Sequence, residues 1–385
     1  MENQSHLFSL PDNVHYLNCA TMSPLLKSVE DAGMVGLRRK SQPYNIVQEN
    51  FFDTFELIQQ EFSNLIHCPD KERIAIMGSV SYAMATVSKN IIHKNLAKSG
   101  KKVLVLAEEF PSDVYAWDEL KAYGVSIEFI QAPTNTPNRG LSWNEAFMNA
   151  IDDQTILVCL SPAHWADGTL FDLHKINEKC KASNCLLVVD GTQYIGAYPF
   201  DVTSIDAVLV VAASYKWLLG PYGNALCYLS EWFDDGLPLE QNWAMRLQSN
   251  DFKNLINYQY EYRPKAYRYN MGEFSNFINL PMILTALKQI NVWKPEEIQA
   301  YCRTLARPHI HRLTEGGFWI EKEAHRADHL FGIRIPESKH LSIIQQNLLR
   351  ENVFVSFRGS AIRVSVHVWN TTQDLEVFTS ILMSS

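Results

Sequence analysis

Lys216 lies just past the apolar run Ala207-Val-Leu-Val-Val211, in the segment Ala212-Ala-Ser-Tyr-Lys-Trp-Leu-Leu-Gly-Pro-Tyr-Gly223. An earlier run, Leu186-Leu-Val-Val189, ends on Asp190. A charged group at the end of an apolar strand is costly unless something pairs with it. An amine and an acid at consecutive strand ends suit a ligand that has both an electrophilic carbon and a basic nitrogen. Pyridoxal phosphate is such a ligand: a lysine forms its Schiff base and a carboxylate pairs with its pyridinium nitrogen.

Other segments could serve the same ligand, each with a plainer reading beside it. Gly78-Ser-Val-Ser-Tyr-Ala83 sits at a strand-to-helix turn, where exposed N–H groups bind anions. N-caps use the same residues. Ser81 is the side chain expected to touch a phosphate. Glu109-Phe-Pro-Ser-Asp-Val-Tyr-Ala-Trp117 reads as a loop with buried aromatics, unless a ring lies over the sheet and Phe110 stacks on it. Gln193, three residues after Asp190, can donate to a phenolate oxygen, and the hydroxyls of Ser214 and Tyr215 can reach a phosphate. Arg358 and Arg363 flank the turn Gly-Ser-Ala-Ile. They form either a solvated strand face or a clamp for a carboxylate, for which guanidinium is well shaped.

Short runs that are apolar throughout must position these groups: Ile74 to Met77, Val103 to Leu106, Val125 to Phe129, Ile156 to Leu160, Leu186 to Val189, Val208 to Val211 and Ala225 to Leu229. Such runs suit strands buried on both faces. Their alternation with helix-like stretches predicts an α/β fold with a mostly parallel central sheet sandwiched by helices. Ligands of such sheets gather at the carboxyl ends of the strands. Asn242 to Tyr269 has weak periodicity and reads as a long, partly helical excursion. From about Val292 the pattern restarts as helix, strand (Leu330 to Ile335), helix and a strand pair (Val353 to Phe357, Ile362 to Val368). The expected organisation is an N-terminal segment 1–20, a large ligand-binding domain 21–290 and a smaller C-terminal α+β domain 291–385.

The 385 residues are 46% apolar and 20% charged, ordinary values for a folded chain. A net charge of −8 argues against a broad nucleic-acid or anionic-membrane surface, though not against a small anion held by local donors. Seven scattered cysteines without a Cys-x-x-Cys pair read as reduced cytosolic thiols. No signal peptide or bilayer-spanning run is expected, so the reading is a cytoplasmic protein. His309 with His311, and His325 with Asp328 and His329, imitate metal-ligand spacing. Exposed helix histidines explain them, and no metal is expected. There is no nucleophile elbow and no Walker loop.

In this order the segments resemble the class V aminotransferase family of fold-type I pyridoxal-phosphate enzymes. That family includes cysteine desulfurases, selenocysteine lyases, kynureninases and isopenicillin-N-epimerase-like proteins. The likeness runs from Tyr16-Leu-Asn-Cys-Ala20, similar to the family's opening motif, to Arg363-Val-Ser-Val-His-Val-Trp-Asn-Thr-Thr-Gln-Asp374. Its most specific part is Asp-Gly-x-Gln, Ser-Tyr-Lys-Trp and Gly-Pro-x-Gly. The resemblance implies Lys216 as the Schiff-base lysine, Asp190 on the ring nitrogen, Gln193 on the phenolic oxygen and Phe110 stacked on the ring. It also implies Val80, Ser81 and Tyr215 at the phosphate, with Trp165 near the cofactor oxygen. Arg363 falls at the substrate carboxylate, with Asn18 and Ala20 on the substrate side. Relatives are usually homodimers with shared active sites, and Asn270-Met-Gly-Glu-Phe-Ser-Asn276 looks like the segment that reaches the neighbour's cofactor. Many members have Gly-Thr where this chain has Gly272-Glu273, so a threonine–phosphate contact is missing and Gly272 alone stands at that position.

Desulfurases carry a cysteine on a loop before the carboxylate arginine. Phe357-Arg-Gly-Ser-Ala-Ile-Arg363 is short and has none. The expectation is therefore an amino-acid enzyme that deprotonates Cα, as an aminotransferase or Cβ-bond lyase. Kynureninase-like or epimerase-like activity is the alternative. A desulfurase or selenocysteine lyase, or a non-catalytic binding protein on the same fold, ranks lower.

Overall fold

The computed structural model describes residues 1–134, 137–359 and 361–385. Its main sheet has seven strands: β2 (Ile74–Met77), β3 (Lys102–Leu106), β4 (Ser126–Ile130), β5 (Thr155–Leu160), β6 (Leu186–Asp190), β7 (Ala207–Ala213) and β8 (Ala225–Leu229), while β1 (His15–Tyr16) lies elsewhere. Their order is β2-β8-β7-β6-β5-β3-β4. The five strands from β7 to β4 run parallel, and β8 runs antiparallel to both its neighbours.

Period-two geometry explains why the inner runs are apolar at nearly every position, whereas the edge strand β4 carries Ser126 and Glu128 and is at most half-buried. Ile76, Leu104, Leu106, Val158, Leu160, Leu187 and Val189 belong to one buried cluster. The residues alternating with them, among them Met77, Val103, Val105, Leu157, Cys159 and Val188, belong to a second. Helix Val80–His93 packs Ala83, Met84 and Val87 into the second cluster. Helices Asp53–Leu65, Arg139–Ala150, Leu173–Ser183 and Asn279–Trp293 cover the first. The sheet is thus sandwiched, and its strand ends are the places where polar side chains can surface.

Beyond helix Asn279–Trp293 the chain turns at Lys294, φ +65°, into helix Pro295–Glu315. A second sheet follows, built from β9 (Trp319–Ile320), β10 (Leu330–Arg334), β12 (Ser356–Arg358) and β13 (Ala361–Ser365), in the antiparallel order β12-β13-β10-β9. β11 (Val353–Phe354) leaves this sheet and pairs in parallel with β1. The single strand expected over Val353 to Phe357 is therefore two strands, broken at Val355, that serve different sheets. The strand expected over Ile362 to Val368 ends at Ser365. Asn242 to Tyr269 is less helical than its sequence suggests. Two short 3-10 turns, Phe252–Asn254 and Lys265–Tyr269, are its only helical pieces, and one bridge joins Arg246 to Tyr262. No helix among the described residues is long and apolar enough to cross a membrane.

Candidate active site

At the carboxyl ends of the central strands lies a cavity of about 210 Å³. Its lining includes Ser81, Phe110, Trp165, Asp190, Gln193 and Lys216, and also Val80 and Tyr215. The eight come from four separate strand-to-helix connections and the turn after β7, so the topology of the sheet is what brings them together.

Lys216 is 7% exposed. Its Nζ stands 5.3 Å from the Phe110 ring centroid and 5.4 Å from that of Tyr215, and no hydrogen bond to it forms among the described residues. Burial lowers its pKa to about 8; Asp190 and Asp113 hold it up, while Arg363 and Arg358 push it further down. A buried amine at this value is a nucleophile near neutral pH.

Asp190 accepts from the Thr192 amide at 2.9 Å, and Thr192 Oγ1 in turn accepts from the Ala213 amide at 3.0 Å. The turn after β6 is thereby locked to the end of β7, which fixes the acid relative to the lysine. Gln193 is engaged at both ends: Trp217 Nε1 donates to its Oε1 at 2.8 Å, and its Nε2 donates to the Ala20 carbonyl at 3.0 Å. One N–H of the amide remains for a ligand. His329 braces the same place. Its Nε2 contacts the Gln193 carbonyl at 2.8 Å, its Nδ1 contacts Gln299 Nε2 at 2.7 Å, and burial lowers its pKa to about 4. These contacts fix a neutral ring with its proton on Nε2.

Helix Val80–His93 begins at the cavity. Ser79 caps it by accepting from the Tyr82 amide at 3.1 Å, and the Ser79 and Ser81 hydroxyls meet at 2.9 Å. Free amides and two hydroxyls at a helix start make an anion cradle. Phe110 meets Trp165 edge to face at 5.5 Å, and Trp165 Nε1 donates to the Glu108 carbonyl at 2.6 Å. Arg363, 1% exposed, donates from Nη1 to the Trp165 carbonyl at 2.9 Å and from Nη2 to Thr21 Oγ1 at 2.6 Å. Ser356 Oγ accepts from the same Nη2 at 3.3 Å and donates to Asn18 Oδ1 at 2.8 Å. Asn18 and Ala20 therefore stand beside the site through Arg363 and Gln193 rather than in the cavity lining.

Two sequence expectations change, for Ser214 and for the histidines. The Ser214 hydroxyl is used within its own turn, donating toward the Pro221 and Asn224 carbonyls, so a phosphate contact from it is ruled out. Gly272 lies outside this cavity, its amide donating to the Glu240 carboxylate, and the contact expected of its segment is with a neighbouring copy's cofactor. The histidines dismissed as exposed helix residues are partly interior: His309 is buried on its helix and His329 is buried ahead of β10. No cluster of metal-ligating side chains occurs among the described residues. In the Gly-Ser-Ala-Ile turn, Ser360 lies outside the described residues.

Sequence reasoning missed two acids. Asp113 is fully buried, and neither carboxylate oxygen has a hydrogen-bond donor. Burial, then the charges of Asp190 and Glu109, push its pKa well up, and it sits within hydrogen-bonding reach of Asp190. Two ionised carboxylates cannot donate to each other, whereas a neutral acid can donate to a carboxylate. Asp113 is therefore the protonated member of the pair. Glu109 accepts from the Phe110 amide at 3.0 Å and from Ser161, and burial raises its pKa as well. For Glu109 the available signal was the one that picked out Asp190, an acid just after an apolar strand, here β3; Asp113, on the helix Ser112–Tyr115, offers no such signal.

Comparison with known proteins agrees with this geometry. The family model described as Aminotransferase class-V matches residues 43–378. An uncharacterized aminotransferase, YcbU of Bacillus subtilis (strain 168), is 26% identical over 322 residues, covering 83% of this chain and 80% of that protein. Cysteine desulfurase IscS of Pasteurella multocida (strain Pm70) is 26% identical over 182 residues, 46% of this chain and 42% of that one. Among solved structures, the apo cysteine desulfurase from Thermococcus onnurineus NA1 superposes with a TM-score of 0.83 at 18% identity, covering 100% of this chain and 98% of that one. The cystine C-S lyase C-DES, in complex with its reaction product cysteine persulfide, also gives 0.83 at 18% identity, covering 97% and 98%. The fold is therefore that of fold-type I pyridoxal-phosphate enzymes. The chain belongs to the class V aminotransferase family; it is an enzyme and its cofactor is pyridoxal phosphate. The residues present fit that group: an unpartnered buried amine, an anchored carboxylate, an aromatic wall and a helix-start cradle border one cavity.

Proposed function

We propose that this enzyme transforms an amino acid at Cα through Lys216, by transamination or cleavage of the bond at Cβ. The observation that carries the reading is the Lys216 amine, buried, without a hydrogen bond and depressed to about 8, in a cavity shared with Asp190. Pyridoxal phosphate, when bound, supplies an electrophilic carbonyl carbon and an electron-accepting ring. Lys216 would be the residue that holds that carbon, and its Nζ is the base that would take the Cα proton of a substrate. Asp190 would pair with the ring nitrogen, the remaining Gln193 N–H would meet the phenolic oxygen, and Phe110 would cover a ring face. Val80, Ser81 and Tyr215 would hold the phosphate, with Trp165 at the cavity wall. Arg363, backed by Thr21, Ser356 and Asn18, takes the substrate carboxylate.

A persulfide-forming desulfurase finds little support. Cys19 is the cysteine within electrostatic reach of Lys216 and Arg363, and it is fully buried with its thiol pushed up by that burial. A neutral, enclosed thiol is a poor sulfur acceptor. A kynureninase-like reaction is the second reading, favoured by Phe110 standing over Lys216. Replacement of Lys216 by Ala tests the main one. The variant is expected to lose the covalent-cofactor absorbance and all turnover of amino acids; normal turnover without that lysine refutes the assignment. Release of anthranilate from kynurenine selects the second reading.

The domain division at residues 20 and 290, a cytoplasmic location and a homodimer belong to the same proposal. Seven free cysteines favour a reducing compartment. The dimer draws support from Ile256, Tyr258 and Tyr260, three large side chains each about 80% exposed on one excursion. The Asn270–Asn276 segment, with Gly272 and Glu273 (φ +55°), is the piece expected to reach the neighbour. Sedimentation of the purified protein at twice the chain mass is the expected result.

A further inference from the structure

Two guanidiniums meet Trp165, a residue of the cavity wall, without themselves lining the cavity, and that is one more than an α-carboxylate needs. β12 and β13 pair with Ser356 opposite Arg363 and Arg358 opposite Ala361. Side chains alternate along a strand, so Arg358 shares a face with Ser356 and, diagonally, with Arg363. Both guanidiniums lie over the Trp165 ring, at 5.2 Å for Arg358 and 5.9 Å for Arg363. Like charges on diagonal positions repel, and no carboxylate within salt-bridge distance answers either of them among the described residues. Arg358 donates only to its own Phe357 carbonyl at 2.8 Å, and the Nε atoms of both arginines are buried without partners. Burial lowers the pKa of each, and Arg358 adds to the lowering of Arg363. Trp165 moderates this through cation–π contact, but an anion would satisfy the buried Arg363 and the half-buried Arg358 beside it more fully.

The cofactor's phosphate does not fill that need, because its cradle is the start of helix Val80–His93 on another side of the cavity. Long-range attraction does not supply an anion either, since the chain's net charge is −8. The demand is local. Arg363 is the buried member and Arg358, half-buried at the hairpin end, is the outer one. We infer that the substrate is an amino acid with a second acidic group on its side chain, held by Arg358 while Arg363 holds the α-carboxylate. This rests on the reading of Arg363 given above.

The test titrates the purified holoenzyme with aspartate and asparagine, then with glutamate and glutamine, following the cofactor's absorbance. In the native enzyme one acid is expected to reach half-saturation at least about tenfold below its own amide, as loss of a hydrogen bond to a charged group implies. Arg358→Gln should bring that ratio close to one, and Arg358→Lys should restore part of it. Equal midpoints for acid and amide in the native enzyme overturn the inference, and would also result if a second copy of the chain neutralised Arg358. A ratio unchanged in Arg358→Gln overturns it too, because both arginines would then serve the α-carboxylate. If no amino acid perturbs the spectrum at all, the reading of the whole site fails. A response to neutral amino acids without acid preference removes this inference alone.

Discussion

The depressed pKa of Lys216 can be tested by the rate at which apoprotein captures pyridoxal phosphate across pH. An ordinary lysine at 10.5 is neutral in about one molecule per thousand at pH 7.5, whereas one at about 8 is neutral in about a quarter of them. The reactive fraction is larger by about two hundredfold. Capture should therefore climb roughly tenfold per unit below pH 7, bend near 8 and level off by 9. The cofactor's own titrations are removed by dividing each rate by that of a simple alkylamine under the same conditions, the latter first expressed per neutral amine. The same shift bears on stability. The unfolded chain binds the lysine proton more strongly than the fold does, so between pH 8 and 10.5 stability rises with pH. Below that window burial of the charged amine costs about 3 kcal/mol. A capture ratio that follows an unperturbed amine, with no bend before pH 10, would refute the burial argument.

Asp113 should behave as a hydrogen-bond donor to Asp190. Asn keeps a donor without a titrating proton, so Asp113→Asn should hold pyridoxal phosphate within about threefold of native in an equilibrium fluorescence titration, and Asp113→Ala should weaken it by about tenfold. Equal loss in both, or none in either, would count against the neutral-acid assignment. Gly168→Ala tests the junction of the two sheets. Gly168 has φ +72°, and a Cβ there would stand 1.9 Å from the Leu330 carbonyl oxygen. The clash is with backbone, so at least about 2 kcal/mol should be lost, seen as a lower urea midpoint at unchanged slope.

The central sheet was legible because strands buried on both faces write themselves as nearly unbroken apolar runs, and each of the seven, the half-exposed edge strand β4 included, appears within a residue or two of its run. The family and the cofactor were legible for a related reason: Asp190 and Lys216 break the apolar pattern where burial of charge needs a partner. What stayed hidden depends on contacts across long sequence separations. Ser214 looks like a free hydroxyl until Pro221 and Asn224 close on it. Nothing local in Val353 to Phe357 says that the chain will divide its hydrogen bonds between β1 and β13. Asp113 sat inside a quoted segment yet was passed over, because only packing brings it beneath Asp190. The excursion Asn242 to Tyr269 has too little periodicity for its turns to be anticipated.

The Gln193 amide bears on how the chain acquires its cofactor. Ala20 and Trp217 hold this side chain and His329 holds the backbone carbonyl of the same residue, so one residue is oriented by segments that span most of the sequence. Contacts at such separation form late, since loop closure must precede them. During synthesis the lysine emerges more than a hundred residues before His329, and for that interval its surroundings are incomplete. Cofactor capture then becomes a checkpoint on a finished fold. Nascent or truncated chains that still contain Lys216 would remain colourless, which protects free pyridoxal phosphate from being trapped by unfinished protein.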